Sequence, residues 1–191
     1  MSKIADKKIA VLKGGPGSER DVSLVSAAGV ARALRELGAE VVEFDVKGPG
    51  FDLPKDIFIA FNLVHGTFGE DGELQKYLED LNIPFTGEGV GGSRLAFDKI
   101  ESKRKFVAHG IPTPAFEIIK AGAKPSMPLP YVVKAPKEGS SVGVYVVNTS
   151  GEVEPALRDA ARASGNSRHD EPEAGPAHID RPDRDRRRPA G

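Results

Sequence analysis

Three loops of this sequence carry the side chains best suited to bind a small charged molecule. The first, GGPGSERDVSLVS, contains Glu19, and the second, HGTFGEDG, begins with His65. The third, KEGSSVG, follows Lys134 and contains Ser140. A carboxylate suits an ammonium group, a histidine can donate a hydrogen bond or a proton, and a lysine neutralises phosphate. These residue types predict sites for an amine and for a polyphosphate.

Each of the first two loops also has a purely structural interpretation. The first follows an apolar run and precedes a helical pattern, so Ser18 could cap the helix and Asp21 complete a capping-box-like S-x-x-D arrangement. The second could be a turn in which Glu70 and Asp71 precede a helix and His65 is incidental. Parallel strands deliver their following loops to the same edge of a sheet, which favours one shared crevice.

The third loop could close over a polyphosphate through its backbone N–H groups and hydroxyls, with Gly139, Ser140, Ser141 and Gly143 supplying the flexible segment. It is not a Walker A loop, and a flexible hairpin is the structural alternative. Lys99 and Lys103 lie four residues apart on one predicted helix, a spacing more typical of solvated lysines. A G-x-G-x-x-G match at 87–92 lacks the acidic residue of a dinucleotide fingerprint and is interpreted as a domain junction.

The elements that position these loops alternate between strand and helix. Apolar runs at 9–12, 41–44, 57–64 and 83–86 predict strands, separated by helical patterns, which indicates an α/β unit with a parallel sheet. From about residue 94 a helix to 109 and strands at 116–119, 131–134 and 144–147 predict the opening of a mixed α+β domain. A further helix is expected over 152–163.

Composition excludes several classes of protein. The 191 residues include 27 Lys plus Arg and 28 Asp plus Glu, a net charge of −1, which gives no general electrostatic case for nucleic acid or an anionic membrane. There is no cysteine, so disulfides, thiolate metal sites and cysteine nucleophiles are excluded. No apolar run approaches the ~20 residues of a membrane span, and a soluble cytoplasmic protein is expected.

The last 28 residues, 164–191, differ from the rest. They contain 12 charged residues and four prolines, with Ile179 as the only large apolar residue. Such a composition cannot bury enough surface to offset the entropy of ordering it, so a disordered tail is expected. Its Arg, Pro, Asp, Ala and Gly content is typical of a GC-rich gene translated out of frame.

Four blocks in one order, GGPGSERDVSLVS, HGTFGEDG, TGEGVGGSRLAFDKIESK and VVKAPKEGSSVGV, resemble the D-alanine–D-alanine ligase family of the ATP-grasp superfamily. The resemblance covers about residues 7–150. It implies a Rossmann-like domain over 1–93, a partial ATP-grasp central domain over 94–163, and a non-family tail over 164–191. It further implies a peptidoglycan-precursor enzyme that uses ATP and Mg²⁺ to join two D-alanines, and a possible homodimer formed through the N-terminal domain.

Carried over by position, the resemblance implies that Glu19 binds the ammonium of the first D-alanine, aided by Ser140, and that His65 lies near its carboxylate. Lys99 and Lys134 would contact ATP phosphates, covered by the 139–143 loop of Gly139, Ser140, Ser141 and Gly143. Gly17 departs from the usual serine of the first loop. The metal ligands of the family do not appear, so the 191-residue chain is expected to be inactive alone. A Rossmann-like module that binds an amino acid or dipeptide without catalysis is the alternative.

Overall fold

A computed structural model of the protein describes residues 3–120, 122–165 and 177–181. The chain divides into two compact units, Met1–Ala96 and Phe97–Gly191. Each unit has its own hydrophobic core. None of the helices in the described part of the chain is long and apolar enough to span a membrane.

The first unit is built on a parallel sheet of three strands in the order β2-β1-β3. The central strand β1 is buried on both faces: Ile9 and Val11 belong to the core that includes Ala31 of helix α1, whereas Ala10 and Leu12 belong to the core on the other side. This arrangement confirms the predicted α/β class. The elements are β1 (Lys8–Gly14), α1 (Arg20–Glu36), β2 (Glu40–Val46), β3 (Ile59–Asn62), α2 (Glu73–Asp80) and α3 (Val90–Phe97).

Two predicted elements differ in kind from the structure, and the strand expected over 57–64 is shorter, Ile59–Asn62. The expected strand over 83–86 is reduced to one parallel bridge between Ala60 and Phe85, because Pro84 has no N–H to donate to a ladder. The single helix expected from 94 to 109 is two helices, α3 and α4 (Lys99–Ala108). Asp98 separates them: its backbone is extended, and its carboxylate accepts hydrogen bonds from the N–H groups of Ile100 and Glu101 at 2.9 and 3.2 Å.

The second unit contains an antiparallel sheet of four strands in the order β4-β7-β5-β6. Its strands are β4 (Phe116–Ile119), β5 (Tyr131–Lys134), β6 (Val144–Val147) and β7 (Ala177–Asp180). A short 3₁₀ turn at Ser150–Glu152 leads into helix α5 (Val153–Gly165), which packs its alanines on one face of the sheet. This mixed unit agrees with the predicted ATP-grasp-like second part of the fold.

The expectation of a disordered tail from residue 164 is wrong for the part that the structure describes. Helix α5 continues to Gly165, and β7 lies between β4 and β5 with all four residues buried. Ile179 pairs with Val133 and joins the core, while His178 and Asp180 alternate with it along the strand. Average composition over 28 residues concealed this short alternating segment. The remaining tail residues, 166–176 and 182–191, lie outside the described residues.

Candidate functional site

The crevice of the first unit begins where β1 ends. Gly14 and Gly15 both have positive φ, 90° and 101°, and a Cβ on Gly15 would lie 2.8 Å from Cγ1 of Val64. The turn therefore requires glycine at this point. Glu19 is the residue before the first turn of α1, and its side chain makes no capping hydrogen bond. The alternative interpretation of the loop, an S-x-x-D cap at Ser18, is therefore wrong, because the helix begins one residue later.

The second loop meets the first at Glu19. A Cβ built on Gly66, whose φ is 66°, would lie 2.8 Å from Oε2 of Glu19, so the carboxylate rests directly against the turn that follows His65. Gly17 faces the same loop, since its Cβ position is 3.8 Å from the backbone nitrogen of Thr67. The structure thus brings Glu19 and the His65 loop together, as the sheet topology predicts.

His65 lies at the open side of this crevice. Its side chain is 30% exposed, and Nδ1 is 3.5 Å from Oε1 of Glu70, whose side chain is 49% exposed. Asp71, by contrast, is a structural residue, because its carboxylate accepts hydrogen bonds from the N–H groups of Phe68 and Glu73 at 2.8 and 3.0 Å. The two neighbouring acids therefore separate into one near the histidine and one that fixes the turn.

Two amides that the sequence reasoning did not single out also shape the second loop. Asn62 Nδ2 and Gln75 Nε2 each donate to the carbonyl oxygen of Gly69 at 2.8 Å, and Asn62 Oδ1 accepts from the N–H of Val64 at 3.0 Å. A Cβ on Gly69 would lie 2.1 Å from the carbonyl oxygen of Val64, so only glycine fits. The sequence signal that could have indicated this network was an asparagine at the end of an apolar strand.

Ser23 joins the ends of the two strands that supply these loops. Its hydroxyl is fully buried, accepts a hydrogen bond from Gly14 N–H at 2.8 Å and donates to the carbonyl oxygen of Leu63 at 2.5 Å. Both strand ends therefore depend on one side chain for their spacing.

Ser23→Ala is expected to lower the free energy of unfolding of the first unit by about 1 to 3 kcal/mol, because a buried donor and a buried acceptor lose their partner. Urea unfolding measures this loss. Ser26→Ala, on the same helix but outside this bridge, is the control. Equal stability of the two variants would contradict the bridging role.

In the second unit, Lys99 and Lys134 approach the glycine-serine loop. Lys99 Nζ donates to the carbonyl oxygens of Glu138 and Pro136 at 2.5 and 3.4 Å, so it lies against the start of the loop. Burial lowers the pKa of Lys99, and the positive charge of Lys134 lowers it further. The two ammonium groups are therefore close enough to repel each other.

The loop itself has an unusual backbone. Ser140 and Ser141 adopt φ values of 44° and 66°, a region that non-glycine residues seldom occupy. Gly143, at φ 66°, could not carry a Cβ without a contact of 2.6 Å to Cβ of Ala135, and its carbonyl accepts from the N–H of Ala135 at 2.8 Å. Strained backbone of this kind is concentrated at ligand-binding loops.

Asp180 of β7 forms ion pairs with two lysines, Lys103 and Lys134. Its two carboxylate oxygens lie 2.6 Å from Nζ of Lys103 and 2.6 Å from Nζ of Lys134. Lys103 is 8% exposed and also donates to the hydroxyl of Thr113 and the carbonyl of Pro114 at 2.7 and 3.1 Å. Lys103 is therefore a buried structural residue, and Lys99 lies against the start of the loop. The interpretation of Lys99 and Lys103 as solvated lysines is wrong for both.

His178, two residues earlier on the same strand, is 1% exposed, and neither ring nitrogen has a hydrogen-bond partner among the described residues. Burial, which disfavours the imidazolium, lowers its pKa to about 4 from 6.5. In the unfolded chain the ring takes up a proton near pH 6.5, so stability is complete above that pH and falls as the pH drops towards 4.

Acidification from pH 7 to pH 4 is accordingly expected to cost the second unit up to about 3 kcal/mol through this one ring. Urea midpoints across that range measure the effect, and His178→Leu should flatten the profile. Asp180 does not account for this slope. Burial raises its pKa, but the hydrogen bonds from Lys103 and Lys134 outweigh burial and lower the pKa below its usual value. The contribution of Asp180 to stability is therefore lost only at lower pH. An unchanged slope in His178→Leu would assign the loss to other groups.

The sequence-predicted residues therefore fall into two groups. Glu19 and His65 lie together in the first unit, and Lys99, Lys134 and the loop with Ser140 lie together in the second. Within the described ranges, no three His, Asp or Glu side chains form a group that could hold a metal ion.

Comparison with known proteins gives these two groups a context. No protein-family model matches the chain. It is 42% identical over 162 residues to a D-alanine–D-alanine ligase of Methylacidiphilum infernorum, covering 85% of this chain and 54% of that protein. It is 46% identical over 165 residues to the corresponding ligase of Ruegeria pomeroyi, covering 82% and 53%. This chain is homologous to D-alanine–D-alanine ligases over about half of their length.

Solved structures agree. D-alanyl-alanine synthetase A from Vibrio cholerae matches 92% of this chain and 59% of its own, with a TM-score of 0.74 and 26% identity. The D-alanine–D-alanine ligase from Bacillus anthracis matches 91% and 57%, with a TM-score of 0.76 and 27% identity. These matches confirm the resemblance to D-alanine–D-alanine ligases noted in the four sequence blocks. They also confirm the fold class predicted for this chain.

Proposed function

We propose that this chain carries the first D-alanine site and the ATP phosphate site of a cytoplasmic, ATP-dependent D-alanine–D-alanine ligase that makes peptidoglycan precursors. The observation that supports this most strongly is the placement of Glu19 against the turn after His65. A carboxylate beside a histidine suits the ammonium and carboxylate ends of an amino acid. The homology to D-alanine–D-alanine ligases supports D-alanine as that amino acid.

The chemistry assigned to these residues follows from their charges. Glu19 would hold the ammonium of the first D-alanine, while His65 would donate a hydrogen bond to its carboxylate. Lys99 and Lys134 would neutralise ATP phosphates under the loop of Gly139, Ser140, Ser141 and Gly143. Transfer of the terminal phosphoryl group to the D-alanine carboxylate gives an acyl phosphate. The amine of a second D-alanine then attacks its carbonyl carbon and expels phosphate.

The ligase family also implies Mg²⁺. Among the residues that the structure describes, no three acidic or histidine side chains lie close enough to share an ion, so no residue of this chain is assigned to Mg²⁺. No step is therefore assigned to the metal on this chain. Homodimer formation through the first unit remains part of the proposal and is measured by sedimentation.

Calorimetric titration of the 191-residue protein with D-alanine tests the first site. Binding of D-alanine in preference to L-alanine is expected, and equal binding of both, or of neither, would contradict the proposal. Binding of D-alanine without any turnover would favour the amino-acid-binding module over the enzyme.

The inactivity expected from the sequence stays a prediction. Phosphate release with ATP, Mg²⁺ and D-alanine, measured beside the Methylacidiphilum infernorum ligase, checks it. Phosphoryl transfer requires a metal ion and cations that stabilise developing charge. D-alanine-dependent turnover within about tenfold of that ligase would contradict it.

A further inference from the structure

Among the residues that the structure describes, the hydrophobic core of the second unit has no cover at one end. A cavity of about 1150 Å³ lies between the connection from β4 to β5 and helix α5. Its floor is continuous with the core under α5, on the face of the sheet opposite Lys134 and Asp180. The apolar side chains that line it include Ile119, Met127, Leu129, Tyr131, Val153 and Leu157.

The connection explains why the core remains open there. Residues 122–130 form no helix and include Pro125, Pro128 and Pro130, so they cannot cover the sheet as α5 does. Met127, Leu129, Val153 and Leu157 are consequently only partly buried. A ligand with an apolar body would complete this packing and remove that surface from water.

The rim of the cavity is positively charged on two opposing walls. Lys120 and Lys124 come from the connection, and Arg158 and Arg162 come from successive turns of α5. Glu154 is the one acid among the described lining residues. Both arginines share Asp159, at 3.4 and 3.8 Å, which leaves a net positive rim.

We propose that this cavity binds a medium-chain fatty acid, with its alkyl chain on the apolar floor and its carboxylate between the cationic walls. The lining combines apolar side chains with four cationic ones, which is the pattern expected for an amphipathic anion. A nucleotide does not suit it, because the floor offers few partners for sugar and base polar atoms. The site is separate from the lysines of the proposed ATP site and does not depend on the proposed function.

Titration of the full 191-residue chain with decanoate, decan-1-ol and acetate tests both halves of the ligand. Decanoate is expected to bind with a Kd below about 1 mM and to raise the melting temperature, at least tenfold more tightly than decan-1-ol, whereas acetate shows no saturable binding. Equal affinity for decanoate and decan-1-ol would overturn the proposal, because the cationic rim would then contribute nothing. The absence of saturable decanoate binding would overturn it too.

Two double variants locate the binding. Lys124→Glu with Arg162→Glu reverses one charge on each wall and is expected to weaken decanoate at least tenfold. Arg104→Glu with Lys105→Glu makes the same charge change on α4, outside the cavity, and should leave the affinity unchanged. Because all four residues are exposed, folding is retained in both. Equal weakening by the two variants would show that only net charge matters and would overturn the site.

Discussion

Replacing Asp180 with leucine is expected to lower the free energy of unfolding of the second unit by about 3 to 5 kcal/mol, because Lys103 keeps its charge but loses its buried counter-ion. Most of the loss comes from Lys103, whose side chain is 9% exposed, whereas Lys134, at 28%, can reach water. Urea unfolding followed by circular dichroism measures the change.

Two further variants make this result specific. Asp159→Leu removes an exposed carboxylate from α5 and should cost less than about 1 kcal/mol. Lys103→Met combined with Asp180→Leu should recover much of the lost stability, since a buried ion pair can be replaced by apolar side chains at little cost. If Asp180→Leu were no worse than Asp159→Leu, β7 would not occupy the centre of the sheet.

Glu19→Gln is expected to weaken D-alanine binding by about 2 to 4 kcal/mol, because the amide keeps the shape of the side chain but removes the charge partner of the ammonium. Calorimetry measures the loss. Glu36→Gln makes the same change at the far end of α1, where the side chain is exposed, and should leave binding unaltered. Comparable losses in both variants would mean that the charge of the unit, and not Glu19 itself, attracts the ligand.

Much of the fold could be predicted because the apolar runs lie close to glycine or proline residues that end them. The strands at 116–119, 131–134 and 144–147 have the predicted bounds. The meeting of the first two loops followed from parallel topology alone. These features depend on residues close together in the sequence, so a single sequence is enough to predict them.

The errors arose where long-range partners decide the structure. β7 contains only four residues, AHID, and becomes a strand because β4 and β5 offer it edges on both sides. Lys103 is buried because Asp180, 77 positions later, neutralises it, and no spacing in the sequence connects the two. The amide network of Asn62 and Gln75 depends on a carbonyl that only the folded loop presents.

The central claim assigns D-alanine to the first unit and ATP phosphates to the second, and one paired titration tests it most directly. D-alanine and ATP are titrated separately into the wild-type chain, Glu19→Gln and Lys134→Ala. Glu19→Gln should weaken D-alanine alone, and Lys134→Ala should weaken ATP alone, because each charge serves one ligand. Loss of the same ligand in both variants, or of ATP in Glu19→Gln, would contradict the assignment.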